Sequence, residues 1–303
     1  VGFASVGLVR RRVRDETWYY LHLTTYAAVY LVFWHQLAAG SDLPGGTAAR
    51  TAWYALYLVV AALLLWYRVL VPVRLNLRHR LRVEAVVPEA PGVLSVLIRG
   101  RRLEKLKAEP GQFFRWRFLA PGLRWSSNPD SLSALPRPDL MRITVKASGD
   151  HSGALRTVRP GTRVWAEGPY GSLTAGRRTS AKVLFIAGGV GITPLRALFE
   201  ALPARPGDLT LLYWAHRPED LALRRELDAI ADARGARLLY SVNLPDGRRS
   251  ARITPRTLRR AVPDVADPDV YLCGPPAMAE AAWDALREVG VPAKRIHHES
   301  FEL

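Results

Sequence analysis

Three groups of residues in this chain have types and spacings suited to chemistry. The first is Ala187–Pro194, AGGVGITP, where Gly188, Gly189 and Gly191 follow an apolar run and precede an amphipathic one. Glycines at a strand-to-helix turn let the backbone approach a pyrophosphate, and the helix N-terminus adds free N–H groups and a positive dipole end. Thr193 is placed to cap that helix, with Pro194 at its first position. A structural turn carries the same glycines, so the strand before and the helix after carry the reading. The second group is Leu272–Met278, LCGPPAM, another strand-to-helix turn. Ligands bind beyond the carboxyl ends of strands in such sheets, which would place Cys273, Gly274 and Pro275 at the same crevice. A buried, inert cysteine fits the same residues. The third group is His22 and His35, both inside a run without formal charge. An ionisable residue inside a membrane segment marks a functional place by default; an interfacial His22 and a His35 bonded to a neighbouring helix are the alternative.

Those histidines need a membrane around them. No Asp, Glu, Lys or Arg occurs from Thr17 to Ser41, and a second uncharged run, TAWYALYLVVAALLLWY, spans Thr51 to Tyr67 and continues past Arg68 as VLVPV. A bilayer core takes about 20 apolar residues as a helix. The first run meets that length alone, the second if Arg68 reaches toward the headgroups. Between them lies the turn-rich GSDLPGGTAAR. Arg10, Arg11, Arg12 and Arg14 precede the pair, Arg74, Arg78, Arg80 and Arg82 follow it, and the loop holds only Asp42 and Arg50. That asymmetry predicts a transmembrane hairpin in the cell membrane with both ends cytoplasmic. Two buried helices of a soluble protein are the alternative.

The remaining texture divides in two. From about residue 79, short alternating runs such as QFFRWRFL and LMRITVKA are bounded by Gly and Pro, as in an antiparallel β-barrel. From about residue 181, apolar strands such as KVLFIAGG and PDVYLCGP alternate with amphipathic helices, which predicts an α/β doubly wound parallel sheet. The predicted domains are 1–78, 79–178 and 179–303. One cysteine excludes an intrachain disulfide and a cysteine metal cluster. The net charge of +16 fits anionic partners, phosphate-bearing cofactors or lipid, and a genome biased toward arginine gives the same balance. The arginines flank the apolar runs and scatter elsewhere, so no basic stripe supports nucleic acid.

Seven segments fall in one order: GQFFRWRFL, NPDSLSALP, ITVKASGDHSGAL, EGPYGSL, AGGVGITP, YLCGPPAM and HESFEL. Over about residues 80–303 they resemble the ferredoxin–NADP reductase superfamily. With the helical pair before them, they look most like its ferric reductase and NADPH oxidase branch. The resemblance implies FAD on the barrel and NADPH or NADH on the α/β domain. It implies FAD contacts from Asn128, Pro129, Ser131 and Ser133, with Ser131 near flavin N5, and places Lys146, His151 and Ser152 near the ribityl–pyrophosphate or adenine. Ser131, Cys273 and Phe301 are the implied catalytic set, Phe301 covering the flavin ring. Arg217, or else Arg252, stands where a basic residue could meet a 2′-phosphate; a solvent-facing role fits either equally. Asp130 departs from the branch, which carries an aromatic residue there. A carboxylate at that position would weaken flavin binding or lower its potential, unless it points away.

The resemblance also gives the histidines a role. In that branch two histidines on the penultimate helix ligate two b-type hemes, each shared with a histidine on an earlier helix. His22 and His35 match, about 20 Å apart along a helix but about 140° apart around it. The partner histidines belong on upstream helices, so the chain reads as the C-terminal part of a longer protein. The implied activity passes electrons from NAD(P)H through FAD and heme to an outside acceptor, a ferric chelate or dioxygen. An anchored flavin reductase without heme, feeding a cytoplasmic partner, is the alternative. A non-catalytic subunit that has lost FAD is the third reading, motivated by Asp130.

Overall fold

The computed structural model describes residues 15–38, 47–147, 149–243 and 252–300, with the backbone alone at 15–23, 36–38, 150, 151 and 300. The chain separates into two compact units, one ending at Leu70 and the other beginning at Val71.

The first unit holds helix α1 (Asp15–Ala38), helix α2 (Thr47–Leu65) and a π-helical turn, Trp66–Leu70. α1 and α2 touch through the edge-on rings of Phe33 and Tyr57, 4.9 Å apart. Most of their other apolar side chains face outward. Tyr30, Leu31, Val32 and Trp34 of α1 and Leu56, Leu58, Val59, Leu63 and Leu64 of α2 are each more than half exposed. Thr47–His79 is a single helical run of 33 residues, with a mean hydropathy of 2.1 in its most apolar stretch and none of that stretch buried. Among the described residues it is the one helix both long and apolar enough to cross a membrane. Of the two spans predicted from the sequence, one meets that measure.

The second unit opens with helix α3 (Val71–His79), which docks on a barrel. The barrel consists of β1 (Arg82–Ala90), β2 (Val93–Arg99), β3 (Phe113–Phe118), β4 (Asn128–Ser131), β5 (Leu140–Lys146) and β6 (Val164–Tyr170). These form two antiparallel sheets, β1-β2-β5 and β4-β3-β6. Single bridges join the sheets at both edges, Arg82 to Arg163 and Leu132 to Ile143. The alternation read in QFFRWRF is real: Phe114, Trp116 and Phe118 are fully buried against Val96, Ile98, Met141 and Ile143. Where β1 leaves the edge of β6, Asn76 takes its place. Its amide donates to the Ala166 carbonyl at 3.0 Å and accepts from the Ala166 N–H at 2.8 Å. His79 closes the same helix end, its Nδ1 2.8 Å from the Arg101 carbonyl. The expected boundary after residue 78 therefore moves upstream, because the last turns of the helix belong to the barrel.

The rest of the unit is a five-stranded parallel sheet, ordered β11-β10-β7-β8-β9. Its strands are β7 (Val183–Gly188), β8 (Leu209–Trp214), β9 (Arg237–Ser241), β10 (Asp269–Gly274) and β11 (Ile296–Ser300). β7 and β10 are buried along their whole length, as central parallel strands covered on both faces must be. Helices α5 (Ile192–Ala201) and α6 (Arg224–Arg234) pack with Phe185, Tyr213 and Tyr271, and α7 (Pro255–Ala261) and α8 (Pro276–Glu288) with Ile186, Val270 and Leu272. A short helix, α4 (Asp150–Ala154), precedes β6. The chain reverses its order between β7 and β10, and a ligand crevice belongs at such a switch point.

Asn76→Ala strips both partners from the Ala166 peptide group. It should cost about 1–3 kcal/mol and lower the thermal midpoint, with the fastest amide exchange at residues 71–79 and 164–170.

Candidate functional site

The two glycine turns meet at the switch point. A Cβ added at Gly191 would lie 2.3 Å from the Cys273 carbonyl oxygen, and one at Gly188 would lie 2.1 Å from Met278 Sδ. Gly274 stands against the Gly188 backbone nitrogen, which would lie 3.2 Å from an added Cβ. The turns after β7 and β10 therefore pack closely: an added Cβ would meet backbone at Gly191, the Met278 side chain at Gly188, and at Gly274 both Met278 and the Gly188 backbone, at a distance that a small shift relieves. Gly189 differs. Its φ is +52° and a Cβ there would meet only open space. It is the glycine left to face a ligand. Pro275 is exposed beside it, at the start of α8.

α5 begins earlier than the sequence suggests. Gly191 is its N-cap and Ile192 its first residue, because the turn Gly189–Gly191 runs directly into the helix. Thr193 and Pro194 are therefore inside its first turn. The buried Thr193 hydroxyl donates to the Val190 carbonyl at 2.6 Å instead of accepting from the helix N–H groups.

A series of neighbours leads from this turn to the barrel. Ala187 pairs with Cys273 in the sheet, and Cys273 pairs with Glu299 of β11. A Cβ at Gly171, just beyond β6, would lie 3.3 Å from Glu299 Oε1 and 3.1 Å from the Phe113 ring. Phe113 stands opposite Ser131 of β4 on one side and Tyr170 of β6 on the other, its ring 5.8 Å from that of Tyr170. Two buried oxygens in this series have no hydrogen-bond partner among the described residues, Ser131 Oγ and Glu299 Oε2. Polar atoms are rarely buried unsatisfied without a functional reason. They sit where the two halves of the unit face each other, and a planar, polar-edged group such as isoalloxazine would satisfy them. The residues present fit the FAD and nicotinamide that the sequence implies.

The other predicted contacts divide. Ser133 is fully buried and its hydroxyl accepts from Arg142 Nε at 3.0 Å, so its bond is made within the protein. Asn128 stands on β4 opposite Trp116, and Pro129 is exposed opposite Arg115. Asp130 stands opposite Phe114, on the sheet face whose members Phe114 and Trp116 are fully buried. It therefore turns inward, neither stacked on an outer-face ligand nor free in solvent. Lys146 ends β5 and is exposed. Ser152 lies on α4, its hydroxyl bonded to the Gly149 N–H and carbonyl, each at 3.1 Å. His151 lies on the same helix, with the backbone alone described. Arg217 follows β8 at the correct edge, but its guanidinium is held by Asp220 at 3.1 Å and Glu219 at 3.3 Å. Arg252 is exposed. His22 and His35 both lie on α1, where His35 is exposed and His22 is described in backbone only. Among the described residues no three His, Cys, Asp or Glu side chains gather to hold a metal. Phe301 lies outside the described residues.

Cys273 is fully buried in the sheet core and does not open to the crevice. Burial, and then the neighbouring Glu299, hold its thiol well above the usual range, so it stays protonated and inert. A titratable residue in this series that the sequence alone did not single out is Glu299. It stands in HESFEL in plain view, but its value comes from burial, which lifts its carboxyl to about 7. Burial lifts Asp130 to about 7 as well.

Two outcomes follow from these environments. Native protein should resist iodoacetamide near pH 8 and become labelled at Cys273 only in guanidinium. For Glu299 the folded value lies above the ordinary 4.5, so its contribution to stability is full below 4.5 and is lost as pH rises through about 7. Glu299→Gln should therefore flatten the fall in thermal midpoint between about pH 5 and 8.

The comparisons with known proteins agree with this geometry. A family model described as an oxidoreductase NAD-binding domain matches residues 185–284. The stachydrine N-demethylase reductase subunit Stc4 of Rhizobium meliloti is 31% identical over 225 residues, 71% of this chain and 64% of its own length. Ferredoxin–NADP reductase B of Sorangium cellulosum is 32% identical over 240 residues, 73% of this chain and 96% of its own. The chain thus spans less than two thirds of the first relative and nearly all of the second. Among solved structures, the ferredoxin reductase in carbazole 1,9a-dioxygenase is 25% identical with a TM-score of 0.62, covering 74% of this chain and 69% of its own. The FAD/NAD-binding domain of nitric oxide dioxygenase from Vibrio cholerae, 21% identical with a TM-score of 0.59, shares the fold over 74% of this chain and 99% of its own. Glycine turns at the switch point, unsatisfied polar atoms between barrel and sheet, and these similarities agree: the chain belongs to the ferredoxin–NADP reductase superfamily of NAD(P)H-dependent, FAD-containing oxidoreductases.

Proposed function

We propose that this chain is the electron-input part of a membrane-bound flavohemoprotein reductase of the ferric reductase type. It takes electrons from NAD(P)H at the second unit and serves an acceptor such as a ferric chelate or dioxygen across the membrane. The observation that carries the reductase reading is the series from Gly189 through Glu299 to Ser131, which links a phosphate-type turn to two unsatisfied buried oxygens.

FAD, when bound, supplies the exchange of an electron pair for single electrons. The protein's own residues do the rest. The N–H groups around Gly189 and the N-terminus of α5 hold the dinucleotide phosphates. Ser131 offers its hydroxyl at the flavin edge. Glu299 keeps a carboxyl proton up to about pH 7 between the two cofactor positions. Phe113 and the more exposed Tyr170 pair their rings beside that edge.

The membrane part of the reading rests on the outward-facing apolar surface of α1 and α2 and on the 33-residue run Thr47–His79. The arginines beyond each end favour the cytoplasmic side for the second unit. The heme part rests on His22 and His35. Both are on α1, so each can offer one ligand to a separate heme, and the second ligand of each must come from another helix. Relatives include the flavohemoprotein of Deinococcus radiodurans, 28% identical over 212 residues. A second reading, a membrane-anchored reductase feeding a cytoplasmic partner without heme, draws on the Stc4 relative, whose name makes it the reductase subunit of a demethylase.

An anaerobic visible spectrum separates the two, using protein expressed from its full coding region in detergent, before and after NADPH. Bleaching of flavin with a reduced b-heme band supports the first reading. Flavin bleaching alone leaves the second, and no bleaching removes both. Ser131→Ala should slow flavin reduction by about 10²-fold. The same change should leave the FAD-free protein as stable or up to about 1–3 kcal/mol more so, because it removes an unsatisfied buried hydroxyl.

A further inference from the structure

The two halves of the second unit touch through apolar side chains and through the Thr193 hydroxyl, which lies 3.4 Å from the Thr144 carbonyl. Val93 and Leu173 from the barrel side enter the core formed by α5, α6 and the parallel sheet. Apolar contact is non-directional and sets no fixed register between two bodies. One group of charges does set a register. Arg142 of β5 reaches Glu226, in the first turn of α6, with a two-pronged bond, Nη1 to Oε1 at 2.6 Å and Nη2 to Oε2 at 2.8 Å. Arg196 of α5 meets the same carboxylate at 2.9 Å and also pairs with Glu200. The side chains of Arg142 and Arg196 are 14% and 8% exposed, while Glu226 between them is 35% exposed, so water reaches the carboxylate from one side only partly. Burial works to raise the Glu226 carboxyl, but the two guanidinium groups outweigh it and hold it below the usual range.

Each end of this bridge leads to a cofactor position. Arg142 also clasps Ser133, bonding its hydroxyl at 3.0 Å and its carbonyl at 2.8 Å, and the Ser133 N–H returns to the Arg142 carbonyl at 2.9 Å. Ser133 is two residues beyond Ser131. At the other end, Arg196 rides on the helix that opens at the Gly189–Gly191 turn. A bidentate arginine–carboxylate pair fixes angle as well as distance.

We propose that Glu226, held between Arg142 and Arg196, is a positioning residue that sets the spacing between the nicotinamide-binding turn and the flavin-binding strand. It touches neither cofactor position and acts through Ser133 and α5. The inference rests on the reductase reading given above.

The test uses the full chain in detergent with the Glu226→Gln variant, which keeps size and shape but leaves two guanidinium groups without their shared charge. The FAD dissociation constant and flavin spectrum should stay as in wild type. Reduction of flavin by saturating NADPH should slow by about tenfold or more, while reduction by dithionite is unchanged. Arg142→Lys, which keeps the charge but loses the fork, should slow the NADPH step likewise. In calorimetry of the FAD-free protein, the shared transition of barrel and sheet should split into two in Glu226→Gln. A single transition matching wild type, or an unaltered NADPH step in a wild type that is itself reduced, overturns the proposal. A wild type that NADPH fails to reduce removes the reductase reading instead, and the calorimetric result still decides whether Glu226 ties the two halves.

Discussion

The close approach of two peptide turns, one after β7 and one after β10, is the constraint on which the second unit depends. The space between Gly191 and the Cys273 carbonyl does not admit a methyl group. With Gly188 and Gly274 also stripped of side chains, the carboxyl ends of the central strands close to backbone contact. That contact places Gly189 at the rim, gives α5 its starting point and forces the Cys273 side chain into the core. Gly191 is thus required by packing, while Gly189 at the rim has open space where a side chain would stand.

The barrel and the sheet each supply part of the complement. Ser131 of β4 and Glu299 of β11 carry buried oxygens without partners among the described residues, a state that costs free energy in the absence of a ligand. A fold that keeps such groups does so where something polar is to be bound. The inward turn of Asp130 follows from the same sheet. Its register opposite Phe114 takes it from the outer face, where a carboxylate would oppose a reduced flavin.

The helices before the barrel carry a different surface. Leucines and aromatic residues face outward on α1 and α2, while α3 meets the barrel through the polar Asn76 and His79. The change of surface falls at the π-helical turn Trp66–Leu70, where the two compact units also divide.

Much of this was legible in the sequence, because it is written in local pattern. Alternation marked the barrel strands, continuous apolar runs marked β7 and β10, and glycine at a strand-to-helix turn marked the crevice. Seven segments in order carried the family. Four matters waited for the tertiary structure. Cys273 and Ser133 looked available and are not, one being buried in the core and the other held by Arg142. Thr193 looked like a cap and lies inside the helix. Glu299 drew no notice in the sequence and carries a buried carboxyl oxygen. Register and burial decide all four, and both depend on contacts between residues far apart in the chain. Local pattern suffices to say which elements form and in what order. Which of their polar atoms find partners, and which are left for a ligand, is settled by the packing of barrel against sheet, which no local pattern records.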